Sequence, residues 1–155
     1  MSIETERKFL IDALPELQMA DPKGIEQGYL VTHAGPHGLE VRVRKIQGES
    51  AVLTFKAGAG LSRAEIEVRL DPEAAEALWP FTEDCRVMKR RFALYLSDGH
   101  RVDLDIYEGN NSGLVTAEIE FASESAASDF RPPQWFGREI TGDPAFSNAA
   151  LAIRK

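Results

Sequence analysis

The chain has one cysteine, three histidines and no long apolar segment among its 155 residues. A lone Cys85 forms no internal disulfide, which fits a reducing compartment. No apolar run approaches the length of about 18 residues that a membrane-spanning helix requires, so we expect no membrane association. The N-terminus lacks a basic segment followed by a long apolar one, which predicts the absence of a signal peptide. Together these absences predict a cytoplasmic protein.

An excess of positive charge is also missing. The chain has 18 Lys and Arg residues against 25 Asp and Glu residues, for a formal net charge of −7. Broad affinity for nucleic acid needs a positive field, so we expect no nucleic-acid partner. A phosphate ligand remains compatible with this charge if the basic residues gather in one place. The length predicts a single domain, residues 1–155, and leaves open whether it forms a homodimer.

What the sequence does contain is a set of short segments in which every second residue is ionisable. The first holds Glu4, Glu6 and Lys8, and the alternation returns at residues 40–44, 63–69, 103–105 and 118–120. Successive side chains of a strand point to opposite faces, so each segment has one ionised face and one mostly apolar face. Thr, Ser, Gln and Asn, the usual polar residues of an exposed strand face, are scarce there.

These segments belong to about eight predicted strands, joined mostly by tight turns at positions such as 48–49 and 98–99. A helix is predicted over residues 71–79, because Asp71 is a good N-cap and Pro72 suits the first helical position. Shorter helices are predicted at 123–130 and from about 147, and a turn with a short helical stretch near Pro15 and Pro22. The pattern predicts a mainly β (α+β) fold, an antiparallel barrel or strongly curved sheet with peripheral helices.

The functional interpretation depends on whether the ionised faces point to solvent or into a closed interior. Taken singly, such strands bury the apolar face and solvate the charged one. Taken together, they favour closure around the charges, with the apolar faces packed outward beneath helices that carry Leu78, Trp79, Phe130, Trp135 and Leu151. A closed ionic interior is costly unless its charges pair or bind a ligand. Carboxylates suit Mg²⁺ or Mn²⁺, and Arg and Lys suit phosphate, so a metal–polyphosphate complex is the expected ligand.

Short motifs along the chain carry a family resemblance. The series opens with Glu4-Thr-Glu6-Arg-Lys8 and ends with Gly137-Arg-Glu139-Ile-Thr141; between them come Gln27-Gly28-Tyr29-Leu30, Val41-Arg42-Val-Arg44, Thr54-Phe-Lys56, Arg63-Ala-Glu65-Ile-Glu67, Lys89-Arg-Arg91-Phe92 and Asp105 through Ala117-Glu118-Ile-Glu120. Their order resembles the CYTH, or triphosphate tunnel metalloenzyme, superfamily in its compact bacterial form. The resemblance implies an eight-stranded antiparallel tunnel. After Asp143 the chain departs from it, reading Pro-Ala-Phe-Ser-Asn where many relatives carry a basic and aromatic cluster.

The same resemblance implies roles for the charged residues. The implied ligands of Mg²⁺ or Mn²⁺ are carboxylates, namely Glu4, Glu6, Glu118 and Glu120, with Asp105 assisting. The implied phosphate-binding residues are basic, namely Lys8, Arg42, Arg44, Lys56, Lys89 and Arg91, with Arg63 as a weaker candidate. Glu65 and Glu67 would support these bases. Lys8, Glu4 and Glu6 are the expected catalytic residues, and Lys8 would orient or deprotonate the attacking water if its pKa is lowered.

The expected reaction is metal-dependent hydrolysis of a linear triphosphate, inorganic tripolyphosphate in the first place, by in-line attack of a metal-oriented water. Adenylyl cyclase and thiamine triphosphatase are alternatives, which an aromatic or apolar rim at the tunnel mouth would favour. A non-catalytic polyphosphate-binding module is a third, and the four carboxylates weigh against it. The fourth alternative is a plain β-domain with a solvated charged face. Burial of the charged side chains would rule out this alternative.

Overall fold

The computed structural model describes residues 1–155 and contains eight strands that close into an antiparallel barrel. Neighbouring strands follow the order β1-β5-β4-β3-β2-β6-β7-β8. The strands are β1 Ser2–Leu10, β2 Lys23–Ala34, β3 Leu39–Ile46, β4 Val52–Ala57, β5 Ser62–Arg69, β6 Arg86–Tyr95, β7 Arg101–Tyr107 and β8 Val115–Phe121. The predicted barrel is therefore confirmed.

Three short α-helices accompany the barrel: α1 Pro72–Leu78, α2 Glu124–Asp129 and α3 Asn148–Ala152. Each begins after a residue whose side chain accepts a backbone N–H bond, namely Asp71, Ser123 and Ser147. Such N-caps satisfy donors that the first helical turn leaves unpaired. None of these helices is long and apolar enough to cross a membrane.

The segment between β1 and β2 contains no helix, so the short helical stretch expected near Pro15 and Pro22 is wrong. Proline disfavours helical geometry at the preceding residue, and two prolines in this short segment leave little room for a helix. Leu17 and Met19 instead pack against the outer apolar core.

The outer core lies between the barrel wall and the segments that follow β8. Phe9, Leu104 and Ile119 of the wall are at most 2% exposed and cluster with Phe130 and Phe136. Outward packing of the apolar faces is thus confirmed for these strands. Ile66 departs from it, being 47% exposed. The helices pack mainly on β1, β2, β6 and β8, which leaves the outer face of β5 uncovered.

A second apolar cluster lies on the inward face of the barrel. Leu151 and its neighbours in α3 contact Tyr29, Val87 and Tyr107. Val87 has the same strand parity as Lys89 in β6, whose side chain lines the barrel interior. Packing of Leu151 beneath the outer wall, as expected from the sequence, is therefore wrong. The helix α3 packs against inward side chains at one end of the barrel.

Candidate active site

The barrel encloses a cavity of about 220 Å³, called here the interior cavity, and none of its fourteen lining residues is hydrophobic. The lining residues are Glu4, Glu6, Gln27, Arg42, Arg44, Lys56, Glu65, Glu67, Lys89, Arg91, Asp103, Glu118, Glu120 and Asn148. They come from all eight strands and from α3. The alternation along the strands has thus brought the predicted charges to one enclosed space, and the hypothesis of an open, solvated charged face is wrong.

A second space, the mouth cavity, adjoins the first and measures about 410 Å³. Lys8 and Arg63 line this cavity rather than the interior cavity. Its lining includes the apolar or aromatic side chains of Tyr29, Phe146 and Ile153, of which Tyr29 is buried. Four residues line both cavities and mark the boundary between them, namely Glu6, Arg42, Lys56 and Asn148.

Two glycines shape the mouth cavity. Gly142 has a φ of +70°, and a Cβ atom at this position would lie 2.9 Å from the Cα of Gly60. Gly60 itself has a φ of +85°. At Gly142 both the left-handed backbone and the close approach favour glycine, whereas at Gly60 only the backbone does, because a Cβ there would meet no atom within 4 Å. The loop after β4 can therefore contact the segment before α3.

A third cavity opens from the other side of the interior cavity. It measures about 370 Å³ and shares Asp103, Glu118 and Glu120 with the interior cavity. Arg101 is the basic residue of its lining, and Arg101 donates a hydrogen bond to Asp103 over 3.1 Å. The two ends of the interior cavity therefore differ in charge. The mouth cavity has four bases, Lys8, Arg42, Lys56 and Arg63, against three carboxylates, Glu6, Glu40 and Asp143, whereas the third cavity has one base against three carboxylates.

The carboxylates at the centre of the site interact strongly with each other and with two lysines. Glu118 lies 3.5 Å from the Nζ atom of Lys8, and Glu4 lies 2.5 Å from the Nζ atom of Lys56. Burial alone would raise the pKa of Glu118, but Lys8, Lys89 and Arg91 hold it well below its ordinary value. Burial raises the pKa of Glu6 to about 7, and the charge on Glu118 adds to this effect.

The donor set fits a hard divalent cation. Burial and the charges on Glu4 and Glu65 raise the pKa of Glu120, and the Oε1 atom of Glu118 is buried without a hydrogen bond. A bound cation would relieve this repulsion and coordinate that oxygen, whose ion-pair contact with Lys8 is long at 3.5 Å, and carboxylate oxygens suit Mg²⁺ and Mn²⁺. No three acidic, histidine or cysteine side chains of the chain are drawn together as a preformed metal cage.

Arginine side chains of β3 and β6 line part of the interior wall. Arg44 donates to Glu67 over 2.8 Å, and Arg42 donates to the hydroxyl of Tyr29 over 3.4 Å. The Nε atoms of Arg42 and Arg44 are buried and have no hydrogen-bond partner. Burial lowers the pKa of Arg44, and the neighbouring charges of Arg42 and Arg91 lower it further. Buried guanidinium N–H donors without a partner suit the oxygens of a phosphate group.

The structure does not support Asp105 as a member of the predicted metal-ligand set. Its Oδ1 atom accepts a hydrogen bond from Arg91 over 2.7 Å, and its Oδ2 atom accepts from Lys89 over 2.6 Å and from Arg91 over 2.7 Å. The residue is fully buried and does not line the interior cavity. Because both oxygens are engaged by bases, Asp105 supports Lys89 and Arg91 and is not placed as a metal ligand.

Lys8 has the wrong protonation state for a base. Burial would lower its pKa, but the groups around it, Tyr107, Glu118 and Asp105, raise it above the ordinary value. Its Nζ atom donates to the carbonyl oxygen of Phe146 over 3.1 Å. The condition for a Lys8 base, a lowered pKa, is therefore not met, and the side chain is a fixed cation.

Three lining residues of the interior cavity are absent from the predicted site: Gln27, Asp103 and Asn148. Asp103 had a signal in the sequence, because it alternates with Asp105 on the ionised face. Gln27 pairs in register with Arg44, so the strand pairing would have placed it. Asn148 lies on a helix outside the strand pattern, and the alternation carries no information about it.

Two curated proteins are similar to the chain over nearly its whole length. An inorganic triphosphatase of Nitrosomonas europaea is 44% identical over 151 residues, which cover 97% of each chain. An inorganic triphosphatase of Acetivibrio thermocellus is 33% identical over 97% of this chain and 94% of its own. No protein-family model matches the sequence.

Solved structures agree in fold. The crystal structure of an inorganic triphosphatase superposes with a TM-score of 0.71 at 38% identity, over 100% of this chain and 97% of the other. A putative adenylyl cyclase from Hippeastrum shares the fold at 16% identity and a TM-score of 0.53, over 83% of each chain. The extent and level of identity to the curated relatives show that this chain belongs to the inorganic triphosphatase family.

Proposed function

We propose that the chain hydrolyses a linear inorganic triphosphate, tripolyphosphate, as a compact bacterial member of the CYTH superfamily. The observation that carries the proposal is the enclosed ionic interior cavity, in which buried N–H groups of Arg42 and Arg44 lack partners. A ligand with several phosphoryl groups satisfies these donors. The two curated relatives, which are inorganic triphosphatases, support the same substrate.

In this proposal the phosphate chain is held by bases on β3 and β6, the two strands that flank β2. Arg42 and Arg44 lie two positions apart on one face of β3, so their Cα atoms are roughly 7 Å apart. That spacing suits neighbouring phosphoryl groups of an extended chain. Arg91 and Lys89 add donors from β6, where Asp105 keeps both side chains in place. Arginine binds phosphate oxygens with two parallel N–H bonds, which fixes the direction of the chain.

Glu4, Glu6, Glu118 and Glu120 would hold Mg²⁺ or Mn²⁺. Bound there, the cation would supply charge neutralisation for phosphoryl transfer. Lys8 contributes a fixed positive charge beside Glu118, because its pKa is raised. In phosphoryl transfer most catalysis comes from positioning and from electrostatic stabilisation of the phosphoryl oxygens. Lys8 and the arginines therefore account for the protein's own part in the reaction, and Glu65 and Glu67 keep Lys56 and Arg44 in position.

An organic triphosphate is the second candidate substrate. The lining of the mouth cavity includes Phe146 and Ile153, which suit an apolar or aromatic group attached to the chain. This lining favours thiamine triphosphate or a nucleoside triphosphate, the latter as substrate of a phosphatase or of a cyclase. A pure binding module is disfavoured, because binding phosphate needs bases, whereas this interior cavity also gathers carboxylates.

Phosphate release tests the proposal. The purified protein is assayed with tripolyphosphate, ATP, thiamine triphosphate and pyrophosphate, each in Mg²⁺, Mn²⁺ or EDTA. We expect the highest kcat/KM with tripolyphosphate and a loss of activity in EDTA. Higher kcat/KM with thiamine triphosphate or ATP would favour the second candidate. Release of phosphate from none of the four in either metal would refute a triphosphatase.

A further inference from the structure

Asn148 is the uncharged member of the four residues that line both cavities. The other three, Glu6, Arg42 and Lys56, are ionisable. The hydroxyl of Tyr107 donates a hydrogen bond to the Oδ1 atom of Asn148 over 2.8 Å. This bond occupies the carbonyl end of the side-chain amide, which leaves its NH₂ end for the cavities that Asn148 lines.

The surroundings hold that amide in place. Tyr107 is 2% exposed and belongs to the inner apolar cluster with Leu151 of α3. Two residues before Asn148, the carbonyl oxygen of Phe146 accepts a hydrogen bond from Lys8. The Asn148 side chain is thus held by the hydrogen bond from Tyr107. Its backbone is held before Asn148 by the bond between Lys8 and Phe146, and after it by the packing of Leu151. A donor fixed in advance loses little conformational entropy when it binds a ligand.

The arginines differ in which of the two cavities they line. Arg44 and Arg91 line the interior cavity alone, whereas Arg42 lines both cavities. A phosphate chain that begins at Arg44 and Arg91 must extend toward Arg42 to reach the boundary. We infer that the boundary receives the outermost phosphoryl group of a chain of three, and that a chain of two ends before it.

We propose that Asn148 is a specificity-determining residue, whose NH₂ group donates to the outermost phosphoryl group of a triphosphate at the boundary between the two cavities. This inference rests on the proposed function. An amide supplies two N–H donors and no charge, so it can donate to phosphate oxygens without adding a charge beside Arg42 and Lys56. An aspartate at the same position would offer acceptors alone and would repel the phosphate.

Binding measurements test the inference without requiring turnover. Tripolyphosphate and pyrophosphate are titrated by calorimetry in EDTA into wild type, Asn148→Asp and Asn148→Ala. We expect tripolyphosphate binding to weaken by about tenfold or more in Asn148→Asp and by about three- to tenfold in Asn148→Ala. Pyrophosphate binding should change by less than about twofold in either variant. With Mg²⁺, KM for tripolyphosphate should rise in the same proportion while kcat changes little.

Two further variants separate a contact with substrate from a structural role. Asn110→Asp makes the same chemical change at an exposed position outside the three cavities and should bind tripolyphosphate as the wild type does. Tyr107→Phe removes the hydroxyl that orients Asn148, and we expect it to weaken binding in the wild-type background more than in the Asn148→Ala background.

The outcomes distinguish the inference from the proposed function. Wild type that neither binds nor hydrolyses tripolyphosphate would refute the proposed function itself. Wild type that binds tripolyphosphate while Asn148→Asp and Asn148→Ala bind it equally well would overturn the role of Asn148 alone. Equal weakening of tripolyphosphate and pyrophosphate would overturn the assignment to the outermost phosphoryl group.

Discussion

The Nζ atom of Lys89 lies 2.6 Å from the Oδ2 atom of Asp105, and neither side chain is more than 1% exposed. Arg91 donates two further hydrogen bonds to the same carboxylate. Burial would raise the pKa of Asp105, but Lys89 and Arg91 lower it below the ordinary value, so the group stays ionised. One buried carboxylate therefore holds two bases that point to the interior cavity.

Asp105→Asn should destabilise the protein by about 3–5 kcal/mol, because it leaves the buried charge of Lys89 without its counter-ion. Urea unfolding measures this loss. Asp103→Asn is the matched control, since Asp103 is a half-buried carboxylate two residues away that also pairs with Arg91. Its loss should be about 1 kcal/mol or less. Equal stabilities of the two variants would show that Asp105 does not hold Lys89 and Arg91 in the way described.

Arg44→Ala should lower kcat/KM for tripolyphosphate by roughly ten- to hundredfold, the loss expected for about 1.5–3 kcal/mol per charged hydrogen-bonding group. Arg44→Lys should restore part of the activity, because a point charge lacks the bidentate fork. Stability should change little, since burial and repulsion from Arg42 and Arg91 already disfavour the charge on Arg44. Steady-state kinetics and thermal unfolding measure the two effects.

Arg90→Ala provides the matched control for that loss. Arg90 points away from the interior cavity and pairs with Glu108 on the exposed side of the barrel. Activity of Arg90→Ala should stay within about twofold of wild type, since exposed ion pairs contribute about 0–1 kcal/mol. Loss of activity in Arg90→Ala equal to that in Arg44→Ala, with both proteins folded, would show that the parity of the strands does not decide which bases bind phosphate.

Glu6→Gln and Glu120→Gln should each abolish turnover and leave the barrel folded. The substitution keeps the shape of the side chain and removes one formal charge from the proposed cation site. The pKa values of Glu6 and Glu120 are raised by burial and by neighbouring carboxylates, so the neutral amide relieves repulsion in the metal-free protein. Circular dichroism and Mg²⁺-dependent phosphate release measure the two effects. Full activity of both variants in Mg²⁺ would refute the proposed ligand set.

Glu139→Gln should reduce stability at neutral pH and not at low pH. The hydrogen bonds from Arg7, at 2.8 Å to each carboxylate oxygen, lower the pKa of Glu139 below 4.5. A lowered pKa in the folded state adds stability above the ordinary value, which is lost as the pH falls through the folded pKa. Because Glu139 is 37% exposed, we expect about 1 kcal/mol at pH 7 and a progressively smaller difference as the pH is lowered toward about 3.

Unfolding by urea across that pH range measures the difference between wild type and Glu139→Gln. Glu108→Gln is a suitable control, because the Arg90–Glu108 pair is more exposed and should contribute less. A difference between wild type and Glu139→Gln that stays constant with pH would mean that the ion pair with Arg7 is not its source.

The sequence was sufficient to predict the barrel and most of the interior wall. Charged residues at every second position lie on one face of a strand wherever its exact ends are, so errors in the predicted strand ends do not change that face. Arg42, Arg44 and Glu118 were placed correctly by that period alone. The partners of Asp105 were not, since they depend on the register that sets Arg91 opposite Asp105 across β6 and β7. The position of α3 was also missed, because its apolar residues look the same whether they cover the wall from outside or meet Tyr29 from within.

The closure of the barrel has a consequence for biosynthesis. The strand β1, the first to leave the ribosome, pairs with β5 and with β8, and Glu6 lies opposite Glu120 in the second pairing. Contacts between such distant parts of a chain are slow to form, because a long loop must close before they repay its entropy. The carboxylates of β1 and β8 therefore meet only after all eight strands have been translated. A nascent chain that stops before β8 lacks the last strand of the barrel and also Glu118 and Glu120, two of the four proposed metal ligands, so the proposed metal site is complete only after the last closing step of folding.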